Sequence, residues 1–201
     1  DAFQVIGEST FDLFGGSGHD FVDIDARLNG TTHGEDGNDT LDASNSPVGV
    51  TMYGNAGADR LIGSNSVDRL DGGADNDVLM GNNGNDRMLG GSGNDSYNGG
   101  GGIDTVEETV SGNVLLSNTT LTDAGQQPHS NMERIVISGG SGEDRLDASA
   151  FTRGPVTLLG LAGNDTLVGS SSGGDLLDGG EDNDFTFVDR PNATAAMTVL
   201  I

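Results

Sequence analysis

The chain has 201 residues, with 32 acidic against 8 basic side chains and a formal charge of −24, so nucleic acids and anionic membrane surfaces repel it. Only 33% of its residues are hydrophobic and 4% aromatic, with no Trp and no Cys, which excludes a thick core of large side chains, a disulfide framework and a thiolate zinc site. No apolar run is long enough for membrane insertion, and Asp1 opens the chain without an initiator Met or a signal-peptide pattern, as expected of an excised piece of a larger protein.

Glycine is the commonest residue at 35, against 4 Pro, and its spacing is periodic, which argues against a disordered linker. In chain order, residues 1–14, with Val5, Ile6, Phe11, Leu13 and Phe14, read as an opening coil. A repeat block spans 15–107. Its units GGSGHDFVD (Gly15–Asp23) and GEDGNDTLD (Gly34–Asp42) precede a gapless run from Gly54 to Glu107: GNAGADRLI, GSNSVDRLD, GGADNDVLM, GNNGNDRML, GGSGNDSYN and GGGGIDTVE. Each of the six has Gly first, Asp sixth (Asp59, Asp68, Asp77, Asp86, Asp95, Asp104) and an apolar or aromatic residue eighth (Leu61, Leu70, Leu79, Met88, Tyr97, Val106). Chance does not hold that register through six units.

Residues 108–138 lack the unit and carry the strand-like runs NVLLSNTTLT and ERIVIS around Pro128, read as wider coils or an insert. A second block, 139–187, holds GGSGEDRLD (Gly139–Asp147), GLAGNDTLV (Gly160–Val168), the looser SSSGGDLLD (Ser170–Asp178) and GGEDNDFTF (Gly179–Phe187). Residues 188–201, ending in the apolar Met197–Ile201 and preceded by Phe185 and Phe187, read as a C-terminal cap.

Each unit divides into a Gly-rich turn of six residues and a strand of three with one inward apolar side chain. Two units make one turn of a solenoid, which stacks residues 18 apart about 4.8 Å above one another. Asp59, Asp77 and Asp95 then share one edge, and Asp68, Asp86 and Asp104 the other. Outside the gapless run the Asp spacing widens to 19–21, and a Leu-Asp-Ala-Ser turn occurs both near Asp42 and near Asp147, so those coils keep the Gly-rich turn on a single edge. Position two is Glu35, Asn55, Ser64, Asn82 or Leu161 in some units, and position four is Ser66, Asp75 or Asp182. Asn and Asp tolerate a left-handed backbone there, which leaves Ser66 and Leu161 as the weakest half-sites.

The unit GGxGxDxUx, in twelve windows over just over half of the chain, resembles the RTX, or hemolysin-type calcium-binding, family. The resemblance implies an all-β fold, a parallel β-roll or β-solenoid of stacked nonapeptide-repeat coils, elongated and single over 1–201, with several Ca2+ ions between turns. Stacked carboxylates 5 Å apart repel by roughly 0.8 kcal/mol in bulk water, and by more when desolvated. Calcium, which takes six to eight oxygens at irregular angles, suits such a gap better than magnesium with its octahedron. Ion binding and folding are then expected to be one event.

In the family, one turn supplies the carbonyls of positions two and four with its Asp, and the next turn the carbonyls of positions one and three with its own Asp. Carried over, Gly73, Asp75 and Asp77 meet Gly90, Ser92 and Asp95, while Asn82, Gly84 and Asp86 meet Gly99, Gly101 and Asp104. Asn55, Gly57 and Asp59 meet Gly72, Ala74 and Asp77, and Ser64, Ser66 and Asp68 meet Gly81, Asn83 and Asp86. In the wider coils Gly16, Gly18 and Asp20 meet Gly34, Asp36 and Asp39, and Gly37 and Asp39 meet Gly54, Ala56 and Asp59. In the second block Gly140, Gly142 and Asp144 meet Gly160, Ala162 and Asp165, and Gly163 and Asp165 meet Gly179, Glu181 and Asp184.

No catalytic constellation emerges. His19, His33 and His129 are far apart, lie outside any HExxH pattern and read as turn residues, while Ser17 and Ser141 lack the second Gly of a nucleophile elbow. The Gly-rich stretches lack the Lys of a phosphate loop, and no twelve-residue frame ends in the Glu of an EF-hand. Arg60, Arg69, Arg87 and Arg145, at position seven, are expected to face outward as surface charge balance. The expected function is a structural, non-catalytic calcium-binding module of a secreted or cell-surface bacterial protein, not an enzyme. Its expected partners are calcium ions, with neighbouring domains of a larger protein or a surface glycan besides. The alternatives are an adhesin, surface-layer or carbohydrate-binding segment, and the non-catalytic tail of an extracellular hydrolase.

Overall fold

The structure, a computed structural model, describes residues 1–7, 10–27, 30–123, 125–188 and 198–200. Among them every regular element is a β-strand. The chain forms two compact units, Asp1–Val106 and Glu107–Ile201.

In the first unit β1 (Ala2–Gly7), β2 (Asp12–Ser17), β3 (Phe21–Ala26), β4 (Thr31–Asp36), β5 (Thr40–Asp42), β6 (Thr51–Ala56), β7 (Arg60–Ile62), β8 (Arg69–Ala74), β9 (Val78–Met80), β10 (Arg87–Ser92) and β11 (Ser96–Asn98) alternate between two parallel sheets. The odd strands stack as β1-β3-β5-β7-β9-β11 and the even strands as β2-β4-β6-β8-β10. A neighbour in either sheet is one whole coil away, which is the winding that a two-unit repeat dictates. Val22 pairs with Leu41, Leu41 with Leu61, Leu61 with Leu79 and Leu79 with Tyr97, all buried. Across from them Thr32, Met52, Leu70 and Met88 form the second buried column. With one large inward residue per strand, each worth about 1.5–3 kcal/mol, the core is a thin double ladder.

The odd strands β5, β7, β9 and β11 have the expected three residues, but the even strands β4, β6, β8 and β10 have six. They continue through positions one to three of the following turn, because those residues pair with the same positions one coil away: Asn55 with Gly73 and Ala56 with Ala74, then Gly73 with Gly91 and Ala74 with Ser92.

A strand β12 (Thr105–Thr109) follows, and in the second unit β13 (Asn113–Ser117), β14 (Thr120–Thr122) and β15 (Gln126–Ser130) fold as an antiparallel meander. A turn thus divides the run NVLLSNTTLT into two strands, β13 and β14. The fold-back is local chemistry: Ser117 Oγ accepts the Thr119 and Thr120 N–H groups at 3.3 and 3.1 Å, closing a tight turn at Asn118. Asn118 is held in turn by Thr152, its Nδ2 donating to Thr152 Oγ1 at 2.8 Å and its Oδ1 accepting the Thr152 N–H at 2.8 Å.

Beyond the meander, parallel winding resumes. β16 (Arg134–Ser138), β18 (Val156–Leu159), β20 (Leu176–Asp178) and β22 (Thr198–Leu200) form one sheet, and β17 (Arg145–Ala150), β19 (Thr166–Gly169) and β21 (Phe185–Val188) continue from β13 in the other. Of the expected cap, Thr198–Leu200 pairs with β20. Residues 189–197 and Ile201, with the Met197 of that reading, lie outside the described residues, as does the Val5 side chain of the opening coil.

Candidate metal centre

The six-residue turns bring the sixth-position aspartates into columns. On one edge of the first unit, the backbone N–H of Asp20 donates to Asp39 Oδ1, that of Asp39 to Asp59 Oδ1, that of Asp59 to Asp77 Oδ1 and that of Asp77 to Asp95 Oδ1, at 2.7–2.8 Å. On the other edge Val50 donates to Asp68 Oδ1, Asp68 to Asp86 Oδ1 and Asp86 to Asp104 Oδ1, at 2.8–2.9 Å. In the second unit Asp144 donates to Asp165 Oδ1 and Asp165 to Asp184 Oδ1. One oxygen of each carboxylate thus ties its coil to the preceding coil.

The second oxygen has a different fate. Oδ2 of Asp20, Asp39, Asp59, Asp77, Asp86 and Asp165 is buried and accepts no hydrogen bond. Leaving a charged oxygen dry and unmatched is costly, and a native fold supplies it with a partner. What surrounds it is oxygen. A Cβ added at Gly54 would overlap both Asp59 Oδ2 and the Gly72 carbonyl, and one at Gly72 would overlap Asp77 Oδ2 and approach the Gly90 carbonyl. The same holds at Gly81 with Asp86 and Gly99, and at Gly160 with Asp165 and Gly179. In these turns the first Gly is thus the floor of a cradle between a carboxylate and the carbonyl of the next coil.

Electrostatics opposes this arrangement when it stands alone. Burial, then the neighbouring Asp95, Asp59 and Asp75 charges, pushes Asp77 up to about 7 against the Asp59 N–H bond that lowers it. Burial pushes Asp86 up to about 7 and Asp59 to about 6, with flanking aspartates adding to the rise. Asp39 and Asp165 are raised for the same reasons. An all-oxygen donor set whose carboxylates resist their charge fits a hard cation. Among the described residues no three Asp, Glu or His side chains converge, so such sets consist of carboxylates completed by backbone carbonyls.

Equivalent positions of successive turns align across coils. Gly16 aligns with Glu35 and Glu35 with Asn55, Asp36 aligns with Ala56, Asn83 with Gly101, and Ala162 with Glu181. Positions two and four of these turns take left-handed backbone, as at Gly73 and Asp75 (φ 111° and 76°) or Asn82 and Gly84 (φ 71° and 144°). Glu35 and Leu161, both at φ 78°, occupy the same position-two conformation as Asn55. They stand outside the carried-over set, although their place in the nonapeptide marks them.

Two turns differ. In Gly63–Asp68 the Ser64 N–H donates to Asp68 Oδ2 at 2.7 Å, and in Gly139–Asp144 the Gly140 N–H donates to Asp144 Oδ2 at 2.6 Å. The geometry of Ser64, Ser66, Gly140 and Gly142 therefore departs from that of the other turns. The histidines also divide. His19 is a turn residue whose Nδ1 accepts the Asn38 N–H at 2.9 Å, whereas His33 lies in β4, stacked between Phe14 and Tyr53 at 4.7 and 4.9 Å, and His129 is buried in β15. Arg69 and Arg145 do serve surface charge, pairing with Asp71 at 3.0 Å and Asp147 at 2.7 Å.

A family model described as the RTX calcium-binding nonapeptide repeat (4 copies) matches residues 33–46, 51–79, 71–106, 136–151, 152–172 and 157–186, which together are more than half of the chain. A comparison with curated proteins finds no match.

Proposed function

Starting from a chain that belongs to the RTX calcium-binding nonapeptide-repeat family, we propose a structural, non-catalytic β-roll that folds on calcium outside the cell, as part of a secreted or cell-surface bacterial protein. One observation carries this reading: Oδ2 of Asp20, Asp39, Asp59, Asp77, Asp86 and Asp165, one in each of six Gly-rich turns, is buried without a hydrogen-bond donor, and a Cβ at the first Gly of each of these turns would meet both that oxygen and the carbonyl of the next coil. Asp77, with Asp59 on one side and Asp95 on the other, would hold an ion in common with each. Bound calcium supplies the positive charge that lets adjacent carboxylates stay ionised. The chain's own part is to fix Oδ1 through the N–H of the coil before, leave Oδ2 bare, and keep side chains out of the cradle by placing Gly first.

Affinities of roughly 10⁻⁴–10⁻³ M, those of extracellular calcium modules, would leave the chain open at cytosolic calcium and closed outside. Far-UV circular dichroism during a calcium titration tests this, with magnesium in parallel. The expected result is a saturable coil-to-β transition with calcium and little change with magnesium. Equal responses to both ions, or none to calcium, would refute it.

A further inference from the structure

The twelve nonapeptide turns are not equivalent. Nine place positions two and four in the left-handed region, including turns whose residues are Asn, Asp, Glu or Leu. Gly63–Asp68 and Gly139–Asp144 place neither there, the first with Ser at both positions and the second with Gly at both. Oδ2 of the carboxylate in these two turns receives hydrogen, where Oδ2 of Asp20, Asp39, Asp59, Asp77, Asp86 and Asp165 receives none. Asp68 Oδ2 accepts the Ser64 N–H at 2.7 Å, Ser64 Oγ lies 3.0 and 3.2 Å from the two Asp68 oxygens, and Asp68 Oδ1 accepts the Val50 N–H at 2.8 Å. The Gly63 carbonyl of the same turn accepts Asn82 Nδ2 at 2.7 Å. In the other turn Gly140 donates to Asp144 Oδ2 at 2.6 Å, and the Gly112 N–H donates to Oδ1.

A carboxylate has about four lone-pair directions, and charge-assisted hydrogen bonds to it are the strong ones. A cation approaching Asp68 would have to displace those donors, with the positive end of the Ser64 peptide aimed at its own position. We infer that Gly63–Asp68 and Gly139–Asp144 are closed by hydrogen bonds in place of calcium, so that the positions linking them to Gly81–Asp86 and Gly160–Asp165 take no ion. The inference rests on the calcium reading of the other turns and removes two positions from the set that the repeat alone would count.

The test counts bound ions per chain at saturating calcium, by equilibrium dialysis with elemental analysis, in the wild type and three variants. Asp77→Asn, in an open turn, lowers the count; Asp68→Asn leaves it unchanged; and the double variant Ser64→Gly with Ser66→Gly, which restores glycine at both left-handed positions, raises it by one. A loss of one ion in Asp68→Asn beside a loss in Asp77→Asn overturns this inference alone, as does a double-glycine variant that gains nothing. No change in any variant, Asp77→Asn included, overturns the calcium reading and the inference together. Because the double-glycine variant reports a gain, poor folding of Asp68→Asn does not protect the inference.

Discussion

Leu161 holds a φ of 78° with about half its surface exposed, 48%, so its side chain gains little packing for a conformation that L-residues avoid. The left-handed backbone costs roughly 1–2 kcal/mol at an L-residue, and the extra unfolded-chain freedom of Gly returns roughly 0.5–1 of that. Leu161→Gly is therefore expected to raise the stability of the calcium-loaded protein by up to about 1 kcal/mol in denaturant unfolding. A clear loss would mean that Leu161 makes a contact the backbone argument overlooks. At this scale the sequence speaks through chemistry that has one solution. The Asp at the sixth position and the Gly at the first, replaced by Ser170 in one window, are legible because a Cβ in the cradle would strike the carboxylate. Asn55, Asn82 and Asp75 are legible as left-handed because their side chains tolerate it. Gly140 and Gly142 are not, since GGSGED fits the repeat in every letter. What changes that turn lies outside it, where Gly112, from a segment without the repeat, donates to Asp144 in the place an aspartate N–H holds elsewhere.

Strands are legible where two coils of equal length stack, since the apolar eighth positions must then fall in register, as Leu61, Leu79 and Tyr97 do. The β13–β15 meander escaped because NVLLSNTTLT reads as one strand-like run, although four polar residues separate Leu116 from Leu121, and the hydroxyl of Ser117 marks the reversal. That element also carries the one deeply buried imidazole. His129 stands 6.3 Å from the Phe151 ring, and burial, with Arg153 adding to it, pushes the imidazole down to about 4 from 6.5. The unfolded chain binds this proton more readily than the folded one, so the contribution of His129 to stability is complete above about 6.5 and is lost as pH falls toward about 4. Thermal unfolding in calcium at pH 7 and pH 5 is expected to show a smaller acid-induced drop for His129→Leu than for the wild type. Equal drops would mean that the imidazole is not where the acid acts.

For the molecule as a whole, a charge of −24 and a ladder core of single residues leave the balance between folded and open chain to the carboxylate columns. In the folded state Asp59, Asp77 and Asp86 sit at about 6, 7 and 7 against an ordinary 3.8, so the closed form binds more protons than the open one. Stability from these groups is present at low pH and lost as pH rises through 6–7, which makes the proton a partial substitute for calcium. The winding and its ion class were legible from period and charge. Which turns are open to an ion was not, because backbone hydrogen bonds decide it. The most direct test of the account is the β content of the chain in excess chelator, followed by circular dichroism from pH 8 down to pH 5. Open chain at pH 8 that gains β structure as the aspartates take up protons is the predicted result; a spectrum already β-rich at pH 8 without calcium, and flat across the range, would contradict it.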